Sequence, residues 1–177
     1  MKTIIYFFSY KNSNRYLANK IAKDLNCEIE EIKPRLNSHL LMLMSLNLGN
    51  KKLKTKVEDY DRIILCGPIW MGKLIVPLKN FVNKNISKIN KLIFVTCCGS
   101  TFEKKDEKFG HNLVFNHIKS ISGGKCVHCE AFPIGLVLPA EHKDDSDAFM
   151  KTHLNDENFK SEIAEIYNSF IVKLKKL

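Results

Sequence analysis

Short apolar runs alternate along the chain with longer stretches whose apolar residues recur at helical spacing. Residues 3–8, 62–66 and 91–96 are runs of the kind that suits strands covered on both faces. Residues 27–32 alternate apolar and acidic side chains, as an edge or near-edge strand does. Residues 126–138 read as a long or broken fifth strand. Between them, Tyr16, Leu17, Ile21, Ala22 and Leu25 predict a helix over 14–25. A Met-rich apolar stretch, 36–48, reads as a second helix ended by Gly49. Pro77 opens a third over 77–82, because proline is tolerated in a first turn. Residues 105–121 read as a fourth helix, with Gly110 its weak spot. The stripe of Ile163, Ile166, Tyr167, Phe170 and Leu174 predicts a closing helix over 156–175.

This order, β-α five times over, predicts a single α/β domain spanning 1–177. Its core is a five-stranded parallel sheet with helices on both faces, a doubly wound three-layer sandwich. Such sheets bind ligands beyond the carboxyl ends of their strands, near the switch in strand order. The candidate loops are therefore 9–14, 67–73 and 96–102.

The first loop, Ser9-Tyr10-Lys11-Asn12-Ser13-Asn14, is crowded with hydroxyl and amide groups and opens a helix. Unpaired backbone N–H groups and the helix dipole favour an anion there. The alternative is an ordinary cap and turn, since Ser and Asn are favoured at helix starts. Neither G-x-x-x-x-G-K-[ST] nor G-x-G-x-x-G is present. The second loop, Gly67-Pro68-Ile69-Trp70-Met71-Gly72, carries the single Trp of the chain. A ring between glycines at a ligand edge can wall in a flat heterocycle; otherwise it packs in the core. The third, Thr96-Cys97-Cys98-Gly99, is built of small residues that let backbone approach a ligand, or is a plain strand-to-helix turn.

Taken together, these loops resemble those of the flavodoxin-like flavoproteins, the FMN-binding electron carriers and small reductases. The family's phosphate loop reads S-x-T-G-N-T. Here Ser9 fits, Lys11 and Asn12 stand where Thr and Gly usually do, and Ala18 and Ile21 follow on the helix. Asn tolerates the left-handed backbone that the glycine position uses. Gly67 through Gly72, followed by Pro77 and Phe81, resembles the second loop of the reductase branch, and Thr96 through Gly99 its third. The resemblance implies strand order 2-1-3-4-5 and FMN as cofactor. The FMN would be held by Ser9, Lys11, Asn12, Ser13, Asn14, Pro68, Ile69, Trp70, Met71, Gly72, Thr96, Cys97, Cys98 and Gly99. No side chain is assigned a catalytic role, because the flavin carries the chemistry. A nicotinamide cofactor or a redox protein is the implied partner, and a homodimer across the site is compatible with it. Two relatives of the fold are excluded. A response-regulator receiver needs Asp where Cys66 stands, and a low-molecular-weight phosphatase needs a Cys in the first loop.

Charge refines the picture. The net charge is +9. Residues 1–90 hold 16 Lys and Arg against 7 Asp and Glu, and residues 91–177 hold 12 against 12. Only Arg15, Arg35 and Arg62 are arginines, which argues for a solvated Lys-rich surface rather than a nucleic-acid reader. Lys11, Arg15 and Lys73 lie in or beside the loops, so a bound flavin is expected to be less reducing than in acidic carriers, which suits two-electron work. A one-electron shuttle and a flavin-free binding module remain as alternatives; a haem-pathway oxidase of this fold matches the loops less well. No run approaches the roughly 20 apolar residues of a membrane span, and the N-terminus lacks a signal-peptide pattern. A cytoplasmic protein is expected, and no metal site.

The cysteines leave one motif open. Cys126-Val127-His128-Cys129 is a lone C-x-x-C, compatible with a structural, a redox or a metal role. On an unbroken strand its thiols point to opposite faces, so a dithiol needs a turn there. Neighbouring Cys97 and Cys98 are expected as free thiols near the ring. Residues 139–155 are polar and acidic, an exposed loop or a flap at the substrate edge.

Overall fold

In the computed structural model, residues 1–36, 48–142 and 145–177 are described. The expected helix over 36–48 lies, but for its end residues, outside them. Five parallel strands form the sheet: β1 (Thr3–Phe7), β2 (Glu28–Glu31), β3 (Arg62–Cys66), β6 (Lys91–Cys98) and β7 (Cys126–Pro133). Their spatial order is β2-β1-β3-β6-β7, which is the expected 2-1-3-4-5 with the order reversing at β1. The runs read as doubly covered are so: every residue of β1 and β3 is buried. β2 is the half-exposed edge that its alternation predicts.

Helices α1 (Ser13–Leu25) and α5 (Glu162–Lys176) cover one face, α2 (Val76–Asn85) and α3 (His111–Ile121) the other. Alternate strand residues feed two cores. Ile5, Ile64, Ile93 and Phe132 meet Leu17, Ile21 and Phe170; Ile4, Ile63, Leu92 and Phe94 meet Leu78, Phe81 and Ile118. At the amino ends of the strands, buried Arg62 donates to Thr3 Oγ1 (3.1 Å) and to the Leu174 carbonyl, tying α5 to the sheet.

Several boundaries differ from expectation for identifiable reasons. β6 runs two residues further, through Cys98, because β7 continues to pair with it up to Pro133. The fifth strand breaks at Pro133 into a 3₁₀ turn, Ile134–Val137. The helix expected over 105–121 starts only at His111. Gly110 is its N-cap, and a Cβ there would lie 2.0 Å from the Lys105 carbonyl, so residues 105–110 fold back as a turn. The helix expected from 156 starts at Glu162. The segment before it is held by Asn155 and Asn158, whose side chains satisfy backbone N–H groups nearby. A two-stranded hairpin, β4 (Ile69–Trp70) and β5 (Lys73–Leu74), occupies what the sequence suggested was a loop. Its turn residues Met71 and Gly72 have φ of 48° and 69°, the left-handed pair of a tight hairpin turn. The usual Asn-Gly signal is missing, and Met in that position hid the element.

Candidate functional site

The three loops converge at the carboxyl ends of β1, β3 and β6. Phe8 N–H donates to the Cys66 carbonyl (3.0 Å) and Gly67 N–H to the Val95 carbonyl (3.0 Å), so each strand end is stitched to the next. Gly67 is required by closeness: a Cβ there would lie 2.7 Å from Leu78 Cδ1 and 3.0 Å from the Phe8 carbonyl.

In the first loop, Asn12 caps α1 with φ 67°, the left-handed conformation expected where the family usually has Gly. Among the described residues no side chain caps the amino end of this helix; Ser13 N–H turns back to the Lys11 carbonyl (3.0 Å), and the positive end of the dipole lies at the loop. In the same loop Ser9 Oγ is buried with no hydrogen-bond partner among the described residues. A buried hydroxyl without a partner costs roughly 1–3 kcal/mol and is a place for an incoming polar group. Lys11 Nζ donates to the Met150 carbonyl (2.9 Å), and Ser13 Oγ accepts from Leu154 N–H (3.2 Å). The segment 139–155, read as an exposed loop or a flap at the substrate edge, therefore contacts the first loop. It contains a short helix, α4 (Ser146–Lys151), capped by Asp145.

Asn14 is turned inward. Its Oδ1 accepts from Cys97 N–H (2.8 Å) and its Nδ2 donates to the Cys97 carbonyl (3.1 Å). This residue clamps the first loop to the third instead of presenting its amide to the open side. Arg15, expected beside the site, pairs with Glu31 at 2.5 Å at the end of β2.

The hairpin carries the second loop outward. Trp70 and Met71 are 54% and 59% exposed, so the single Trp is not a core residue. Pro68 and Ile69 are half-buried at its base, and Gly72 presses on residues 108–109, where a Cβ would meet the Lys108 carbonyl at 2.8 Å. In the third loop Thr96 is fully buried, while Gly99 is exposed with open space above it. Cys97 faces α1 and Cys98 faces α3, so the adjacent thiols point to opposite sides of the sheet. Burial raises both, Cys98 to about 11, and keeps them as neutral thiols. All six cysteines are free.

One pair escaped sequence reasoning. Ser100 Oγ lies 2.7 Å from His111 Nδ1, beneath Phe102 and beside Cys98 Sγ (4.0 Å from the same nitrogen). His111 is 2% exposed, and burial followed by the charge of Lys105 lowers its pKa, which keeps the imidazole neutral. It anchors the third loop to the start of α3. Its place at a helix start after Gly110 was the available signal.

Loops of this kind around a sheet of this order define a flavodoxin-like α/β protein. The flavodoxin domain family matches residues 4–122, and the chain belongs to that family. Among solved structures, a flavoprotein in complex with FMN from Lactobacillus acidophilus is 16% identical. Its TM-score is 0.59, and 73% of this chain and 92% of that one are covered. An NADPH-quinone reductase from P. pentosaceus is 16% identical with a TM-score of 0.52, covering 88% and 99%. A flavodoxin from an archaeon is 11% identical with a TM-score of 0.53, covering 99% and 98%. No curated protein matches. Among the described residues no helix is long and apolar enough to cross a membrane, and no three His, Cys, Asp or Glu side chains are grouped to hold a metal ion.

Proposed function

We propose that the three loops bind FMN and that the chain is a redox protein, an oxidoreductase passing electrons from a nicotinamide or protein donor to a small acceptor. The observation that carries the reading is Ser9 Oγ, buried and without a partner among the described residues, in the loop that opens α1 at left-handed Asn12. A buried hydroxyl beside the positive end of a helix dipole fits a phosphate monoester. Ser9, Lys11, Asn12 and Ser13 would hold the phosphate. Pro68, Ile69, Trp70, Met71 and Gly72 would wall one side of the ring, and the backbone of Thr96, Cys97, Cys98 and Gly99 would meet its polar edge. Asn14 sets the distance between the two ends. When bound, FMN supplies the electron-transfer chemistry. The residues here orient it, and Lys11 and Lys73 supply positive charge nearby. The FMN complex among the solved structures supports the cofactor, and the NADPH-quinone reductase supports the nicotinamide donor.

The test is a titration of the purified chain with FMN, followed by flavin fluorescence and gel filtration, then by NADPH oxidation with a quinone as acceptor. Saturable quenching with one flavin retained per chain is expected, and Ser9→Ala is expected to weaken it by about tenfold, the worth of one hydrogen bond to a charged group. Flavin passing through the column unretained at any concentration would overturn the proposal. Retained flavin that NADPH does not reduce, but a reduced redox protein does, would favour the shuttle.

A further inference from the structure

The C-x-x-C motif lies on β7, away from the candidate site. The pairing of β7 with β6 jumps by one residue there: Leu92 faces Cys126, but Ile93 faces His128. Val127 is the extra residue of a β-bulge, 44% exposed on the surface. A bulge shifts the phase of everything before it. Cys126 thereby joins Cys129 and Ala131 on the α3 side of the sheet, while His128 and Phe132 face α5. The expectation that these thiols need a turn is thus corrected: one inserted residue brings their Sγ atoms to 3.5 Å.

Two further features bear on what the pair can do. His128 is not available to it, being bonded to Glu130 (2.9 Å) and stacked on Phe170 on the other face. Two thiols without a third donor make a poor metal site. The ends of the pair are held as well. Cys126 N–H donates to Ser122 Oγ (3.2 Å), itself bonded to the Lys119 carbonyl, so the start of β7 is tethered to the last turn of α3. Cys126 is 8% exposed and Cys129 is half-buried.

We propose that Cys126 and Cys129 are a reversible dithiol–disulfide site that exchanges with low-molecular-weight disulfides. The gap between the sulfurs must close from 3.5 Å to about 2.05 Å, and the loosely paired bulge is where β7 can give by that amount. One thiolate of the pair attacks a sulfur of the small disulfide and expels one small thiolate. The second cysteine then loses its proton and attacks the mixed disulfide, expelling the other. Two protein thiols are oxidised, one small disulfide is reduced to two thiols, and the two protons pass to the departing thiolates. Hydrogen bonding between the two thiols, either of which can donate, favours loss of the proton from Cys126 over Cys129, and Lys119 adds positive charge in the same direction. Cys129 pairs with Phe94, four residues before the end of β6 at Cys98, or about 13 Å along the strand. The chemistry therefore does not depend on a flavin.

The whole chain is equilibrated with oxidised and reduced glutathione over a range of ratios, quenched in acid, unfolded, alkylated and weighed. Oxidising ratios are expected to leave only four of the six thiols alkylated, on a chain that is itself lighter by the two hydrogens lost to the bridge. Peptide mapping is expected to place the bridge between residues 126 and 129, and dithiothreitol to restore all six. Cys126→Ser and Cys129→Ser are each expected to stop at a single glutathione adduct. Six free thiols at every ratio, a glutathione adduct on the wild-type chain that never resolves, or a bridge mapped elsewhere would each overturn the proposal, and none requires a variant to fold.

Discussion

Asn14 and His111 are small parts of the site with measurable weight. Asn14→Ala removes one donor to the Cys97 carbonyl and leaves the buried Cys97 N–H without its Oδ1 acceptor, a cost of about 1–3 kcal/mol. The expected outcome is a lower urea midpoint with unchanged m. His111 is kept neutral in the folded chain, but its unfolded form takes up a proton near pH 6.5. The unfolded state thus binds more protons below that pH, so stability falls as pH falls and levels off once the folded imidazole also protonates. Urea midpoints at about pH 7.5 and about pH 5.5 are expected to differ more for the wild type than for His111→Asn. Residues of this sort were only half legible in the sequence. Asn14 was visible as a polar residue in a ligand loop. Nothing local says that its amide turns inward toward a strand 83 positions away. The left-handed Asn12, by contrast, depends on its own side chain and turn, and the sequence could anticipate it.

At the scale of elements, the buried runs and helical stripes announced the sheet and its covering helices because they answer to burial and period alone, while the strand order came from the resemblance of the loops. What was missed depends on backbone meeting backbone. The helix expected from 105 waits until His111 because Gly110 must lie against Lys105, and the hairpin at 69–74 rests on an unusual Met-Gly turn. That hairpin is a test in itself. Gly72→Ala forces a Cβ against the Lys108 carbonyl at φ 69°, where an L-residue costs about 1–2 kcal/mol before the clash is counted. A chain of this length is expected to lose about 2–4 °C in Tm for each kcal/mol, read by calorimetry. The bulge in β7 was illegible for the same reason: alternation was assumed unbroken, and a single extra residue reversed the facing of Cys126.

At the scale of the molecule, two cores lie on the two faces of one sheet, with the candidate cofactor loops at the ends of β1, β3 and β6 and the thiol pair on β7. The candidate cofactor site is at the carboxyl end of the strands, and the thiol pair is nearer the other end. The clamp between Asn14 and Cys97 joins the helix that starts the first loop to the strand that ends in the third. On the proposed reading it works as a fixed gauge. The two jaws that grip a ligand cannot drift apart, so the molecule measures length. A ligand carrying both a phosphate and a flat ring at the set span closes on both jaws, and its second grip adds at no further cost in translational freedom. A phosphate alone, or riboflavin alone, meets one jaw and pays that cost in full, so selection by this protein is a matter of reach as much as of chemistry.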